Sequence, residues 1–545
     1  MAFDQQGGIG VGHSGFSSVK GVIQGRGSGR KRPRRQEGKG RARLAVAGIT
    51  VPYYSSGGGA LPSLWGKGRM KTSILALGAM LILSGQAFAD PSDDRRQAVE
   101  NGLRSAVIVE GRDTGARRLE DRMRELHTPG VAIAVVRAGK LDWVQGYGVV
   151  SAGGETVNAD TLFQAGSVSK PVAAVTALVM AQDGALSLDA PINTILRSWT
   201  LPENPFMQAS PVNLRRLLSH SAGATVHGFA GYAVGAPIPT VPQILDGAAP
   251  ANSPAVRVDQ PVGVDYRYSG GGYTIAQLAM IDVAKKPFPA IARTSLFAPL
   301  DMTRSTFDQP LPAGTPNVAL AHDEAGLPIP GGFHVYPELA AAGLWTSATD
   351  LARFVIEVQN AAHGQGNVLS QETAREMLTP QPGGWGIGFK VSGEGAALSF
   401  FHDGSNAGYK ATLIGHPETG DGAVILTNGD QGYQLGQEIL RGIAIAYGWI
   451  DNRPIVRKAV DLPLAAQRLF AGTFEIEGLG TFEIRQAENN MLVELRKGQV
   501  FQLIPSSERT FFIAEQNIVL TFEDADHGAV EADAQRFSFT RTAEN

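Results

Sequence analysis

Apolar and polar positions follow two different periods along this chain, and the change of period divides it. From Pro91 to about Leu126 the residues are charged and helix-prone. The runs 131–136 and 141–144 then read as a pair of strands joined by the turn Arg137-Ala-Gly-Lys140, with a second glycine turn at Gly153-Gly154. Helical spacing predicts helices over 170–182, 213–218, 273–284 and 349–361, linked by Gly- and Pro-rich segments. Strand patterns return at 386–391, 398–402, 411–415 and 423–428, before a helix over 435–447. Strands at both ends of a helical middle predict an α+β domain whose sheet is completed by segments distant in sequence.

After Asp451-Asn-Arg-Pro454 the period shortens. Alternating runs at 473–476, 481–485, 492–495, 500–504, 510–513, 518–522 and 537–539 are separated by turn signals at Asn489-Asn490, Lys497-Gly498 and His527-Gly528. These predict a small antiparallel barrel or sandwich, with a domain boundary near residue 455. The chain shows no internal repeat.

Composition narrows the chemistry. The 545 residues, 43% of them hydrophobic, suit two or three soluble folding units that need no metal or disulfide to hold a core. The absence of cysteine excludes disulfides, thiolate-bound zinc, iron–sulfur clusters and a cysteine nucleophile, without deciding the compartment. A net charge of −3 hides an asymmetry: residues 1–89 carry 13 Lys plus Arg against Asp4 and Glu37, and the remainder carries 35 bases and 49 acids. An acidic body argues against nucleic acid as a partner.

From Met70 the sequence reads MKTSILALGAMLILSGQAFAD, with Lys71 ahead of an apolar run and a small-x-small site at Ala87-Phe88-Ala89. This is the pattern of a secretory signal peptide. About ten apolar residues are too few to span the roughly 30 Å hydrocarbon layer. The expectation is cleavage near Ala89, a periplasmic or secreted product and no integral membrane span. The Gly-rich, basic residues 1–69 read as a disordered upstream extension, with translation starting at Met70. The expected organisation is therefore 1–69 upstream tract, 70–89 signal peptide, 90–454 α+β domain and 455–545 β-domain.

Ser167-Val-Ser-Lys170 forms S-x-x-K at the start of a helical stretch. Residues three apart share a helix face, so the Lys170 amine can reach the Ser167 hydroxyl and activate it as a nucleophile. Free N–H groups of a first turn also suit an oxyanion, the Ser167 N–H among them. Alone the motif says little, since it recurs at Ser17-Lys20 and Ser28-Lys31 in the upstream tract. Two further groups of residues give it weight: Tyr268-Ser-Gly270, 101 residues after Ser167, and His402-Asp-Gly404-Ser405, 134 residues after Tyr268.

In that order, S-x-x-K, a tyrosine motif and K/H-x-G, the sequence resembles the penicillin-recognising serine hydrolases, which include class C β-lactamases, D,D-carboxypeptidases, D-aminopeptidases and related esterases. Leu217-Leu-Ser-His220-Ser-Ala-Gly223, Gly343-Leu-Trp-Thr346 and Asn406-Ala-Gly408-Tyr409 support it, and the likeness spans about Arg112 to Trp449. The resemblance implies a β-lactamase/transpeptidase-like fold, an antiparallel sheet with flanking helices. It further implies Ser167 as nucleophile, Lys170 and Tyr268 as its proton-transfer partners, His402 and Gly404 on the substrate-side strand and Ser405 as second oxyanion donor. No cofactor or metal is implied, and the remaining histidines, His220 included, are expected to be structural. The C-terminal strands resemble the lipocalin-like barrel appended to some members, expected to pack over the active-site mouth or to mediate self-association.

Two departures bear on substrate. Gly270 stands where the family carries an Asn amide, and His402 where it often carries a permanently charged Lys. Both favour an esterase or amidase acting on esters, amides or D-amino-acid peptides over a strict β-lactamase or D,D-carboxypeptidase. A non-catalytic sensor on the same fold would be expected to have lost Ser167, Lys170 or Tyr268. No G-x-S-x-G occurs, which excludes the α/β-hydrolase route to a serine esterase.

Overall fold

The structure, a computed structural model, describes residues 91–112, 115–476, 479–496, 498–532 and 535–542. The expected upstream tract, signal peptide and cleavage site lie outside the described residues. Among the described residues no helix is long and apolar enough to cross a membrane.

The chain opens with α1 (Pro91–Glu100), the short strand β1 (Val107–Val109) and α2 (Leu119–Glu125), then forms the hairpin β2 (Gly130–Arg137) and β3 (Lys140–Gly148). The helical middle holds α3 (Ser169–Gln182), α4 (Gly270–Ala284), α5 (Leu339–Ala342) and α6 (Ala348–Ala362). Strands β4 (Lys390–Ser392), β5 (Ser399–Asn406), β6 (Tyr409–His416) and β7 (Asp421–Thr427) follow, then α7 (Gly432–Tyr447). The six strands form one antiparallel sheet in the order β3-β2-β7-β6-β5-β4, so that β2 pairs with β7 through Ile133↔Ile425 and closes the sheet across the whole domain.

Alternation along β2 divides the core. Ala132, Ala134 and Val136 face the large cluster built from α3, α4 and α6, while Val131, Ile133 and Val135 face α1 and α7. The fully apolar burial of β2 reflects a strand covered on both faces by helices. On the α7 side, Arg122 of α2 makes a two-pronged buried ion pair with Glu438 at 2.6 and 2.7 Å, a geometry in which each charge satisfies the other.

The expected helices and strands are present, with shifts that have local causes. Helix α4 starts three residues early, at Gly270, because the Ser269 side chain accepts the Gly272 N–H at 2.8 Å and caps it. The strand expected over 386–391 forms only from Lys390, since Gly388 takes a left-handed φ of 93° and turns the chain first.

Beyond β8 (Ile455–Arg457) the C-terminal strands β9 (Gly472–Ile476), β10 (Gly480–Ala487), β11 (Asn490–Arg496), β12 (Gln499–Pro505), β13 (Thr510–Ile513), β14 (Ile518–Phe522), β15 (His527–Ala532) and β16 (Gln535–Arg541) pair in sequence and close into an eight-stranded barrel. Strand β15 begins where the sequence pattern placed a turn. Its Gly528 is forced by the Phe539 ring and the Thr521 carbonyl, which a Cβ would meet at 2.4 and 2.5 Å; a glycine inside a strand therefore read as punctuation. The barrel interior is filled: Phe474, Phe482, Phe522 and Phe539 pack ring to ring at 5.1–5.6 Å.

The barrel joins the catalytic domain through its outer wall. Strand β1 pairs in parallel with β8, the Val107 N–H donates to the Ala514 carbonyl at 2.8 Å, and Val107 and Val109 cover the outward-facing Phe512 and Val519. Glu515 beside this seam is set among Arg117, Arg122 and Glu438. These are residues of the α2–α7 side of the sheet, whereas α3 and α4 pack on the other side.

Candidate active site

Ser167 lies in a tight helical turn, Gly166–Val168, that runs directly into α3. The turn is anchored by Ser169, whose hydroxyl donates to the Gly166 carbonyl at 2.6 Å and accepts the Leu344 N–H at 2.9 Å. Strand β5 passes against it with no room to spare. A Cβ on Gly404 would lie 1.9 Å from the Ala165 carbonyl and 3.2 Å from the Ser167 nitrogen, and one on Gly166 would lie 2.6 Å from the Ser405 nitrogen. Both glycines are thus required by close backbone approach, which brings the Ser167 and Ser405 amides to one seam.

One turn along, Lys170 donates from Nζ to the Ser167 hydroxyl and to the Ala341 carbonyl of α5, both at 2.9 Å. Its side chain is almost fully enclosed, at 2% exposure, with the ring of Tyr268 4.8 Å from the amine and that of Tyr273 5.8 Å away. Burial, with no compensating acid among the described residues, holds its ammonium down to about 7. Tyr268 stands just ahead of α4. Burial pushes its phenol well above the usual range, a hydrogen bond with Ser167 pulling the other way, so it remains protonated at any ordinary pH.

His402 of β5 is buried at 3% exposure, and its Nδ1–H donates to the Asp403 carbonyl at 2.5 Å. That bond leaves Nε2 bare, so His402 offers the site an acceptor. Burial and the neighbouring Lys170 hold the imidazole down to about 3. Asp403 is engaged by the Thr412 hydroxyl at 2.7 Å. Asn406, at the end of β5, donates to Gln164 at 2.7 Å and to the Ala342 carbonyl at 3.0 Å, tying the strand to α5 and to the segment before Ser167.

All six residues singled out in the sequence therefore converge: Ser167, Lys170 and Tyr268 in one hydrogen-bonded group, and His402, Gly404 and Ser405 along the strand beside it. Sequence reasoning missed the walls. Trp385 lies 5.6 Å from Tyr268 and 5.3 Å from His402, and Tyr266 stacks on Trp385 at 5.8 Å and 9°. His227 lies 4.8 Å from Tyr268, and His220, expected to be merely structural, lies 4.3 Å from it. Gly383-Gly384 ahead of Trp385 was a visible turn signal, but nothing in the pattern aimed that tryptophan at the site. Gly270 leaves no space for a side chain, since a Cβ would sit 2.9 Å from Phe229 and 3.1 Å from the His227 carbonyl. A separate open cleft of about 620 Å³, lined by Arg124, His127 and Tyr147 among others, holds none of these groups.

A serine and a lysine at the start of α3, a tyrosine just ahead of α4 and strand β5 beside them define the class of fold and site. The chain belongs to the Beta-lactamase family, whose family model matches residues 116–447. Penicillin-binding protein 4 of Amycolatopsis lactamdurans is 26% identical over 388 residues, covering 66% of this chain and 97% of that protein. Among solved structures, the octameric penicillin-binding protein homologue from Pyrococcus abyssi is similar with a TM-score of 0.52 at 19% identity, covering 77% of this chain and 98% of the other. The D-amino acid amidase from Ochrobactrum anthropi SV3, complexed with L-phenylalanine, is similar with a TM-score of 0.51 at 20% identity, covering 65% and 99%. These two likenesses bear on the fold.

Proposed function

We propose that this chain is an exported serine hydrolase that works through an acyl-enzyme on Ser167, with neutral esters, amides or D-amino-acid amides and peptides as substrates. Neutral Lys170 takes the Ser167 proton as Oγ attacks the carbonyl carbon. Tyr268 gives its proton to the departing oxygen or nitrogen as the C–O or C–N bond breaks, and is reprotonated from Lys170. The Ser167 and Ser405 amides receive the oxyanion. Water attacking the acyl carbon with Lys170 again as base frees the acid and restores Ser167.

The observation that carries this reading is the 2.9 Å contact between Lys170 Nζ and Ser167 Oγ inside a pocket that holds the amine near neutrality. The substrate class follows from His402: a buried neutral imidazole presenting an acceptor does not replace a cation for a substrate carboxylate. The family match and the D-amino acid amidase likeness support an acyl-transfer reading. Intact mass after incubation with a penicillin, an activated short-chain ester and a D-alanyl peptide tests it. One acyl adduct is expected on the wild type and none on Ser167→Ala. Ser167→Ala retaining more than about a tenth of the rate, a barrier change under about 1.4 kcal/mol, would remove Ser167 as nucleophile. Hydrolysis of penicillin faster than of the neutral ester would return the chain to the β-lactamases proper.

A further inference from the structure

We propose that His220 is the positioning residue for Tyr268, gripping the backbone on both sides of it while its ring braces the phenol. The Arg267 N–H donates to the His220 carbonyl at 2.8 Å, and the Ser269 N–H donates to His220 Nδ1 at 3.0 Å. The amides immediately before and after Tyr268 therefore end on one residue. The imidazole lies against the phenol with centroids 4.3 Å apart and planes 30° apart, and Trp385 meets the same imidazole edge-on at 4.9 Å. His220 itself takes a left-handed φ of 59°, uncommon outside glycine but reached by Asn, Asp and His more often than by other residues. In that conformation its carbonyl and its side chain both reach the 267–269 segment.

The bond from Ser269 fixes the tautomer. Nδ1 accepts and is bare, so Nε2 carries the proton, and that Nε2 is buried without a partner among the described residues. A proton on Nδ1 would set two donors against each other and release the Tyr268 segment. The groups facing His220 are Lys170, His227, His402 and the phenols of Tyr266, Tyr268 and Tyr273; burial and the first three hold its imidazole well below the ordinary value. His220 thus stays neutral, and acts on the proton relay through Tyr268.

The proposal rests on Tyr268 as proton donor, and a double-mutant cycle separates the two. Tyr268→Phe alone should lower kcat about 100-fold, and His220→Phe alone about 30-fold with KM within about threefold. In the Tyr268→Phe background, His220→Phe should cost less than about threefold more, because the group it positions is already gone. His220→Asn tolerates the left-handed backbone and can place an amide oxygen where Nδ1 stands; it should stay within about fivefold of wild type. His220→Gln, with its acceptor one bond further out, should behave like His220→Phe and supplies the comparison should the phenylalanine variant fail to fold. Multiplicative costs in the double variant, or an asparagine variant no better than glutamine, would overturn the role of His220. A Tyr268→Phe enzyme with wild-type kcat would instead overturn the role of Tyr268.

Discussion

Replacing Lys170 by Met should kill the enzyme and, at neutral pH, strengthen the protein. The unfolded chain binds the Lys170 proton with an ordinary pKa of 10.5, whereas burial holds the folded value down to about 7. Between those values the unfolded state binds more protons, so stability rises with pH across that window, and the penalty is fully present below pH 7 and gone above 10.5. A difference of that size amounts to about 4–5 kcal/mol at pH 7 and about 2 kcal/mol at pH 9. Methionine keeps the apolar length but leaves the Ala341 carbonyl without its donor, an opposing cost of about 1–3 kcal/mol that does not depend on pH. Urea denaturation of both proteins at pH 7, 8 and 9 reads the difference. The advantage of Lys170→Met should shrink by about 2 kcal/mol from pH 7 to 9. Buried Glu338, pushed up to about 8 by burial, titrates alike in both proteins and cancels. A flat difference over this range would show that Lys170 ionises normally and would refute it as the base.

Gly404→Ala should lower kcat/KM by about 100-fold or more, about 2.7 kcal/mol of barrier, because its Cβ would meet the Ala165 carbonyl at 1.9 Å and push β5 off the Ser167 turn; an active variant would refute that close approach. His402→Lys places a second ammonium beside Lys170 in a buried position, so Tm should fall. Reactivity toward carboxylate-bearing substrates relative to neutral esters should rise by under about tenfold, an unchanged or reversed ratio counting against the substrate assignment. Gly270→Asn should lose activity on every substrate, measured as kcat/KM for an ester and a penicillin, since Phe229 and the His227 carbonyl occupy the space; a gain on penicillin would show that the missing amide alone sets the preference.

The candidate catalytic residues were legible because the chemistry proposed for them fixes both residue type and order. Ser167 and Lys170 lie one turn apart, and a local rule placed them together. Joining them to Tyr268 and His402 took the family resemblance, since nothing local aims a residue 101 positions away at the same hydroxyl. The aromatic walls were illegible for the same reason: Trp385 and Tyr266 have the signature of core residues, and only the fold makes them a lining. His220 was read as structural, and the contacts its proposed role uses, from Nδ1 and the carbonyl to the 267–269 segment, depend on a left-handed backbone that leaves no trace in the residue pattern. In the barrel, alternation sorted inner from outer positions but could not foresee that outer Phe512 and Val519 would be covered by residues 107 and 109.

That cover has a bearing on how the chain is made. Strand β1 waits for β8 and the 512–519 wall, and β2, which pairs at once with β3, waits for β7 on its other edge, so each early strand completes its pairing only with a late one. At about 5–20 residues per second the interval is tens of seconds, during which the 107–109 strand and the β7-facing edge of 130–137 have no native partner. Such wiring delays closure of both domains until almost the entire polypeptide exists. For the export proposed above, late closure keeps the chain in a form that can pass through a membrane pore.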